Sequence, residues 1–194
     1  MNGNDAFLLA DPNLDAKPYN EENMGVTWAT CTLRTWLNDT FLNTAFTSAE
    51  QVAIKNTTVV NDDNPYSGAK VCVDTIDKVY LLSIAEANNT THGFNGDFRM
   101  KSETRGAKNT AYAEEGGVLT DNETGHVGNG HWLLRLPGGF YHDSAAFVDK
   151  KHFFSQKKIW KNKHFFCHIC FLDSKNLVCR IFLSQNILLK QGLS

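Results

Sequence analysis

The chain has 194 residues, 42% of them hydrophobic and 11% aromatic, with a formal net charge of −2. That is enough for one domain with a real core, and far from the charge-rich, apolar-poor regime of disordered chains. The small net charge hides a split: residues 1–149 carry 10 Lys+Arg against 20 Asp+Glu, a net of −10, whereas residues 150–194 carry 9 against 1, a net of +8. Glycine changes at the same place, with 13 of the 14 lying before Lys150. The acidic body argues against nucleic-acid binding, and no nucleic-acid partner is expected, although the basic tail could in principle supply a Lys/Arg cluster. No segment offers the roughly 20 apolar residues of a membrane span, and the N-terminus lacks a signal-peptide pattern. Five cysteines, only Cys31 and Cys72 before Lys150, make no disulfide framework.

AFLLA (6–10), closed by Asp11-Pro12-Asn13, predicts a strand and a turn. It starts so near Met1 that its sheet partner is expected to be missing. CTLRTWLNDTFLNTAF (31–46) places Leu33, Trp36, Leu37, Phe41, Leu42, Ala45 and Phe46 at helical spacing, one apolar face of an amphipathic helix. Thr47-Ser48-Ala49-Glu50 has the capping-box pattern and predicts a second short helix, with Val52, Ala53 and Ile54 facing inward. NTTVVN (56–61) reads as a strand and NDDNPYSG (61–68) as a turn-rich loop. KVYLLSI (78–84) is the best strand in the chain, and Ser83-Ile84-Ala85-Glu86 is a capping box that turns it into a helical turn. A Gly/Asn/Thr-rich stretch with a helical patch at 110–115 leads to HWLLRLPGG (131–139), a strand stopped by Pro-Gly-Gly, and to SAAFVD (144–149), its neighbour. The fold class is α+β.

Candidate chemistry is sparse. Cys31 and Arg34 sit together in TWATCTLRTWLN (27–38), but a free cysteine on an apolar face reads as buried, and no histidine base is singled out to pair with it. Arg34 is expected to be a half-buried fork on a carboxylate such as Asp77 or on a backbone carbonyl. Arg135 reads as an ion pair anchoring the Pro-Gly-Gly turn, ahead of a ligand-facing cation. Asn61-Asp62-Asp63-Asn64 offers oxygens for calcium without EF-hand spacing. His164, Cys167, His168, Cys170 and Cys179 only superficially suggest zinc, lacking a second C-x-x-C. His126 and His131 flank a Gly-Asn loop. The N-x-[ST] triplets at Asn38, Asn56, Asn88, Asn89 and Asn122 are expected by chance in so Asn/Thr-rich a chain. No catalytic residue, metal ligand or cofactor is assigned, and the chain is read as non-enzymatic.

TWATCTLRTWLN, then FLNTAFTSAEQVAI, DKVYLLSIAEAN, TAYA, and WLLRLPGG with SAAFVD, run in order from Leu14 to Asp149. Together they resemble a bacterial family of domains of unknown function (6273 type), marked by TWxxCxLRxWLN, FLLS and WLRSPG. That family looks related to the C-type-lectin-like fold, shared with formylglycine-generating enzymes. The resemblance implies two helices packed on a twisted antiparallel sheet with long loops. It further implies an extracellular or cell-surface protein of gut bacteria that binds a carbohydrate or protein ligand. Formylglycine-generating-like or other lectin-fold chemistry, which would need a cysteine pair such as Cys31 with Cys72, is the alternative, as is a structural spacer or degenerate fragment. Two family features are missing: a strand-rich lead before AFLLA and a closing G-V-R-P-A-L strand. Residues 1–149 are therefore expected to form one domain, incomplete at both ends relative to the family, and 150–194 a basic, divergent tail of frame-shifted or spliced-on character.

Overall fold

The chain enters its first helix through Thr27, whose backbone N–H is accepted by Thr30 Oγ1 at 3.1 Å, capping a tight turn over Trp28–Thr30. The computed structural model describes residues 6–64, 73–95, 97, 100–137, 144–149, 154–158, 165–167 and 169–173. Helix α1 (Thr32–Trp36) continues through a wide π-type turn (Leu37–Phe41) into α2 (Leu42–Ala45). The apolar spacing seen in the sequence buries Leu33, Leu37, Phe41, Leu42 and Ala45 along one side. Burying a Leu or Phe side chain contributes about 1.5–3 kcal/mol, so this one stripe supplies a large share of the domain's stability.

The Thr47 capping box forms as expected: Glu50 N donates to Thr47 Oγ1 at 3.4 Å and Thr47 N to Glu50 Oε2 at 2.7 Å, starting α3 (Ser48–Ala53). The inward face differs from the expectation. Ile54 is buried but Val52 is 84% exposed. At about 100° per residue, positions two apart on a helix point to nearly opposite sides, so Val52 and Ile54 cannot share a face.

The fold is mixed α/β, with few helices and small, mainly antiparallel sheets. One sheet runs β1 (Ala6–Leu9), β10 (Ile169–Asp173), β5 (Tyr80–Leu81). A second runs β2 (Ala16–Lys17), β9 (Phe165–Cys167), β6 (Trp132–Pro137), β7 (Ser144–Val148), β8 (Phe154–Lys158). The third pairs β3 (Thr57–Val59) with β4 (Thr75–Asp77). All pairs are antiparallel except β6 with β9. β1 therefore has a partner, contrary to the sequence reading: Phe7 lies opposite Leu172 and Leu9 opposite Cys170. Three strands lie beyond Asp149 and enter both larger sheets.

KVYLLSI corrects in a second way. Val79 to Ile84 are all buried, as a core strand requires, but ladder pairing is confined to Tyr80–Leu81. The Ser83 capping box explains the early stop. Ser83 N donates to Glu86 Oε2 at 2.7 Å and Glu86 N to Ser83 Oγ at 3.1 Å, bending the chain into a turn at Glu86–Asn88. The helical patch forms as α4 (Ala111–Glu115), capped by Thr110, which accepts Ala113 N at 3.2 Å. Trp132, Leu133, Leu134, Ala145 and Phe147 place the β6–β7 pair in the core.

Candidate functional site

The stretch 27–38 is wired into the chain segment 75–79. Trp28 Nε1 donates to Asp77 Oδ2 at 3.0 Å and Arg34 Nε to Asp77 Oδ1 at 2.7 Å, while Thr75 Oγ1 adds a bond to Oδ2 at 2.7 Å. The Arg34–Asp77 pair expected from the sequence is present. Arg34 also donates to Ala29 O at 3.2 Å, which draws its fork across the preceding turn. Asn38 closes the clamp: its Oδ1 accepts Lys78 N at 2.8 Å and Val79 N at 3.1 Å, and its Nδ2 donates to Val79 O at 2.9 Å and Arg34 O at 3.1 Å. One carboxylate and one amide thus fasten the helix to the strand pair through groups that would otherwise be buried without partners.

Cys31 is 1% exposed and its thiol donates to Trp28 O at 3.4 Å. Burial pushes it up to about 12, outweighing a backbone hydrogen bond at Arg34 and one from the Tyr19 side chain that pull the other way. The thiolate is the reactive form, so at neutral pH Cys31 is an inert core residue. Cys72, its proposed partner, lies outside the described residues.

Arg135 is 3% exposed and forms a bidentate pair with Glu86: one guanidinium nitrogen makes a short bond to Oε2 and the other reaches Oε1 at 3.2 Å. It also donates to Leu81 O and Val60 O, both at 2.9 Å. The ion pair expected here exists, but it anchors the Glu86 turn and the loop after β3; Gly138 and Gly139 lie outside the described residues. Sequence reasoning missed Arg105, 1% exposed, which donates to the carbonyls of Asn95 (3.0 Å), Asp97 (3.3 Å) and Met100 and shapes that loop from inside. Burial lowers its guanidinium from the ordinary value, with the Asp97 charge opposing.

Asn61, first of the Asn-Asp run considered for calcium, pins its own loop: its Nδ2 donates to Val59 O at 3.3 Å and Val73 O at 3.1 Å. No group of three or more His, Cys, Asp or Glu side chains converges among the described residues. Of the residues considered for zinc, His164, His168 and Cys179 lie outside the described residues, as do the side chains of Cys167 and Cys170.

Two clefts among those formed by the described residues can be compared. The larger, about 520 Å³, is polar and shallow, lined by Asp11, Glu103, Lys108 and Asn129 among others. Beside it, Lys101 Nζ lies 2.7 Å from His126 Nε2 and 2.7 Å from Glu103 Oε1, so this cluster is internally compensated. His131, the other histidine of that loop, packs against Phe147 with ring centroids 5.5 Å apart.

The smaller cleft, about 170 Å³, lies between β2, the 32–45 helix and α4. Trp36, Phe41 and Tyr112 give it aromatic walls; Asp15, Lys17, Thr40 and Thr44 supply polar groups. Trp36 is only partly buried, and its ring packs against Phe41 at 5.4 Å between centroids. The ammonium of Lys17 stands over the Trp36 ring, 5.1 Å from its centroid. The wide turn Leu37–Phe41 lies along this wall and contributes Thr40 and Phe41; such turns recur at functional sites. Aromatic surface with a few fixed polar groups is the usual make-up of a small-molecule site, and the polar cleft lacks the first component.

The chain belongs to the family described as Domain of unknown function (DUF6273), whose profile matches residues 3–169. No curated protein and no solved structure matches the chain. No helix among the described residues is long and apolar enough to cross a membrane.

Proposed function

We propose that this family member is a non-enzymatic ligand-binding module whose site is the Trp36 cleft and whose ligand is a carbohydrate, with a protein surface as the competing ligand class. One observation carries the reading: Trp36 is the aromatic residue of the 27–38 stretch whose side chain is left partly open, and it opens onto a cleft that also holds Tyr112, Thr40 and Thr44. Sugars present apolar C–H faces and a ring of hydroxyls, which aromatic walls and short polar side chains match. The non-enzymatic part rests on Cys31, buried and protonated, and on Arg34 and Arg135, whose guanidinium groups are engaged with Asp77 and Glu86.

A C-type-lectin-like architecture belongs to the same proposal, supported by helices set beside short antiparallel strands. So does a cell-surface or extracellular setting, supported by the family resemblance. The described cleft residues lie before Asp149, but β2, which carries Lys17, pairs with β9 beyond it, so the proposed binding unit draws on strands from both sides of Asp149. The test is a glycan and peptide array with the full chain, followed by titration of hits against Trp36→Ala. The reading expects at least one saccharide hit whose affinity falls about tenfold or more, the loss of one well-packed aromatic contact. An array without binders, or hits indifferent to Trp36→Ala in a folded variant, would reject it.

A further inference from the structure

The geometry points to a carboxylated saccharide, a uronic-acid-type sugar, as the ligand class of the Trp36 cleft, with Lys17 as the residue that selects it; this rests on the carbohydrate reading above. Asp15 and Lys17 are two residues apart on an extended segment, the spacing that sends side chains to one side of a strand, and both line the cleft. Their situations differ. Asp15 Oδ1 accepts the backbone N–H of Ala16 at 2.6 Å and is fixed by the chain itself. Lys17 makes no ion pair with a carboxylate among the described residues; its ammonium rests 5.1 Å from the Trp36 ring centroid. A cation over an indole is held in place electrostatically, yet the ring accepts none of its hydrogen bonds in the way an oxygen does.

The cleft therefore presents a pre-positioned ammonium with donors to give, beside aromatic walls and the Thr40 and Thr44 hydroxyls. A neutral sugar would use the walls and hydroxyls and leave that cation without an anionic partner. A sugar carboxylate completes it through a charge-assisted bond, the stronger class of hydrogen bond. A simple organic cation would meet Lys17 as a like charge and a carboxylate would meet Asp15 as one; the choice falls to the anion because Asp15 is already engaged by the Ala16 N–H.

The experiment titrates the full chain with glucuronate, galacturonate, glucose and galactose, by calorimetry and saturation-transfer NMR, at low and high salt. The expected result is a uronate preference of about tenfold or more over the neutral sugars, shrinking as salt rises. In Lys17→Gln that preference should vanish, in Lys17→Arg it should return, and in Lys108→Gln, on the polar cleft, it should persist. Equal, Trp36-dependent binding of uronates and neutral sugars overturns the acidic preference and leaves the carbohydrate reading standing. A uronate preference that survives Lys17→Gln overturns the assignment to Lys17. No binding of any of the four sugars, together with an empty array, overturns both readings.

Discussion

Removing the carboxylate at Asp77 tests the clamp directly. Asp77 takes three donors, from Trp28 (3.0 Å), Arg34 (2.7 Å) and Thr75 (2.7 Å). The Asp77 side chain is 1% exposed and that of Arg34 27%. In Asp77→Ala, Arg34 turns partly to water and loses little, so the damage comes from the indole N–H of Trp28, 0% exposed, and the buried Thr75 hydroxyl. Each buried donor left without an acceptor costs about 1–3 kcal/mol, and the cavity adds to this, giving a loss of about 3–5 kcal/mol. Asp77→Asn keeps one acceptor but turns an N–H₂ toward a donor, a loss of about 2 kcal/mol. Urea unfolding followed by far-UV circular dichroism and tryptophan fluorescence reads both values, with unchanged m confirming that stability alone moved. A double-mutant cycle with Arg34→Met should show coupling of about 1 kcal/mol or less, the pair being partly open to water. A loss below about 1 kcal/mol for Asp77→Ala would refute the claim that this carboxylate is structural.

Three further outcomes are expected. Arg135→Lys cannot reproduce the two-pronged contact with Glu86 or reach Leu81 O and Val60 O together, so it should lower stability by about 2–4 kcal/mol in a denaturant melt. Gly130→Ala would put a Cβ 2.0 Å from Asn109 Oδ1, which accepts Asn13 Nδ2 at 2.8 Å, so a loss of about 1–3 kcal/mol is expected, and a smaller one when Asn109→Ala is added. Cys31 should resist iodoacetamide at pH 8 in the folded chain and react on unfolding, as read by peptide mass mapping. Because the folded thiol keeps its proton to about 12 against 9.0 unfolded, the folded state binds more protons between those values, and stability falls as pH rises through them. The slope is about 1.4 kcal/mol per pH unit, and Cys31→Ala should flatten it.

Local rules were readable where a short-range hydrogen bond sets the geometry. The capping boxes at Thr47–Glu50 and Ser83–Glu86 both form, because donor and acceptor sit three residues apart whatever the rest of the chain does. The Arg34–Asp77 pair was legible because a cation on an otherwise apolar helix must find a partner. Burial of Val79–Ile84 was legible, whereas the length of β5 was not, since pairing depends on β10, nearly ninety positions later in the chain. Arg105 gave no signal at all: its partners are backbone carbonyls, and carbonyls are spelled by every residue. The cleft escaped sequence reading for a related reason. Its walls come from residues 14–17, 36–45 and 112, and Trp36 reads as one more member of the apolar stripe with Leu33 and Leu37.

That ambiguity of Trp36 explains why the most distinctive stretch of the chain identifies a family without identifying a ligand. Trp28, Cys31, Arg34 and Asn38 all face partners within the domain, so changes at these positions act through stability first. Trp36 sits at the border of the stripe, where the helix surface passes from core to cleft, and it can be replaced without orphaning a buried polar group. The wide turn that follows keeps Leu37 and Phe41 in the core while bringing Thr40 beside the opening. On the proposed reading, stability and recognition are carried by neighbouring but separable side chains on one helix. A variant at Trp36 should therefore lose ligand before it loses fold, and one at Asp77 should lose fold without any specific effect on ligand choice.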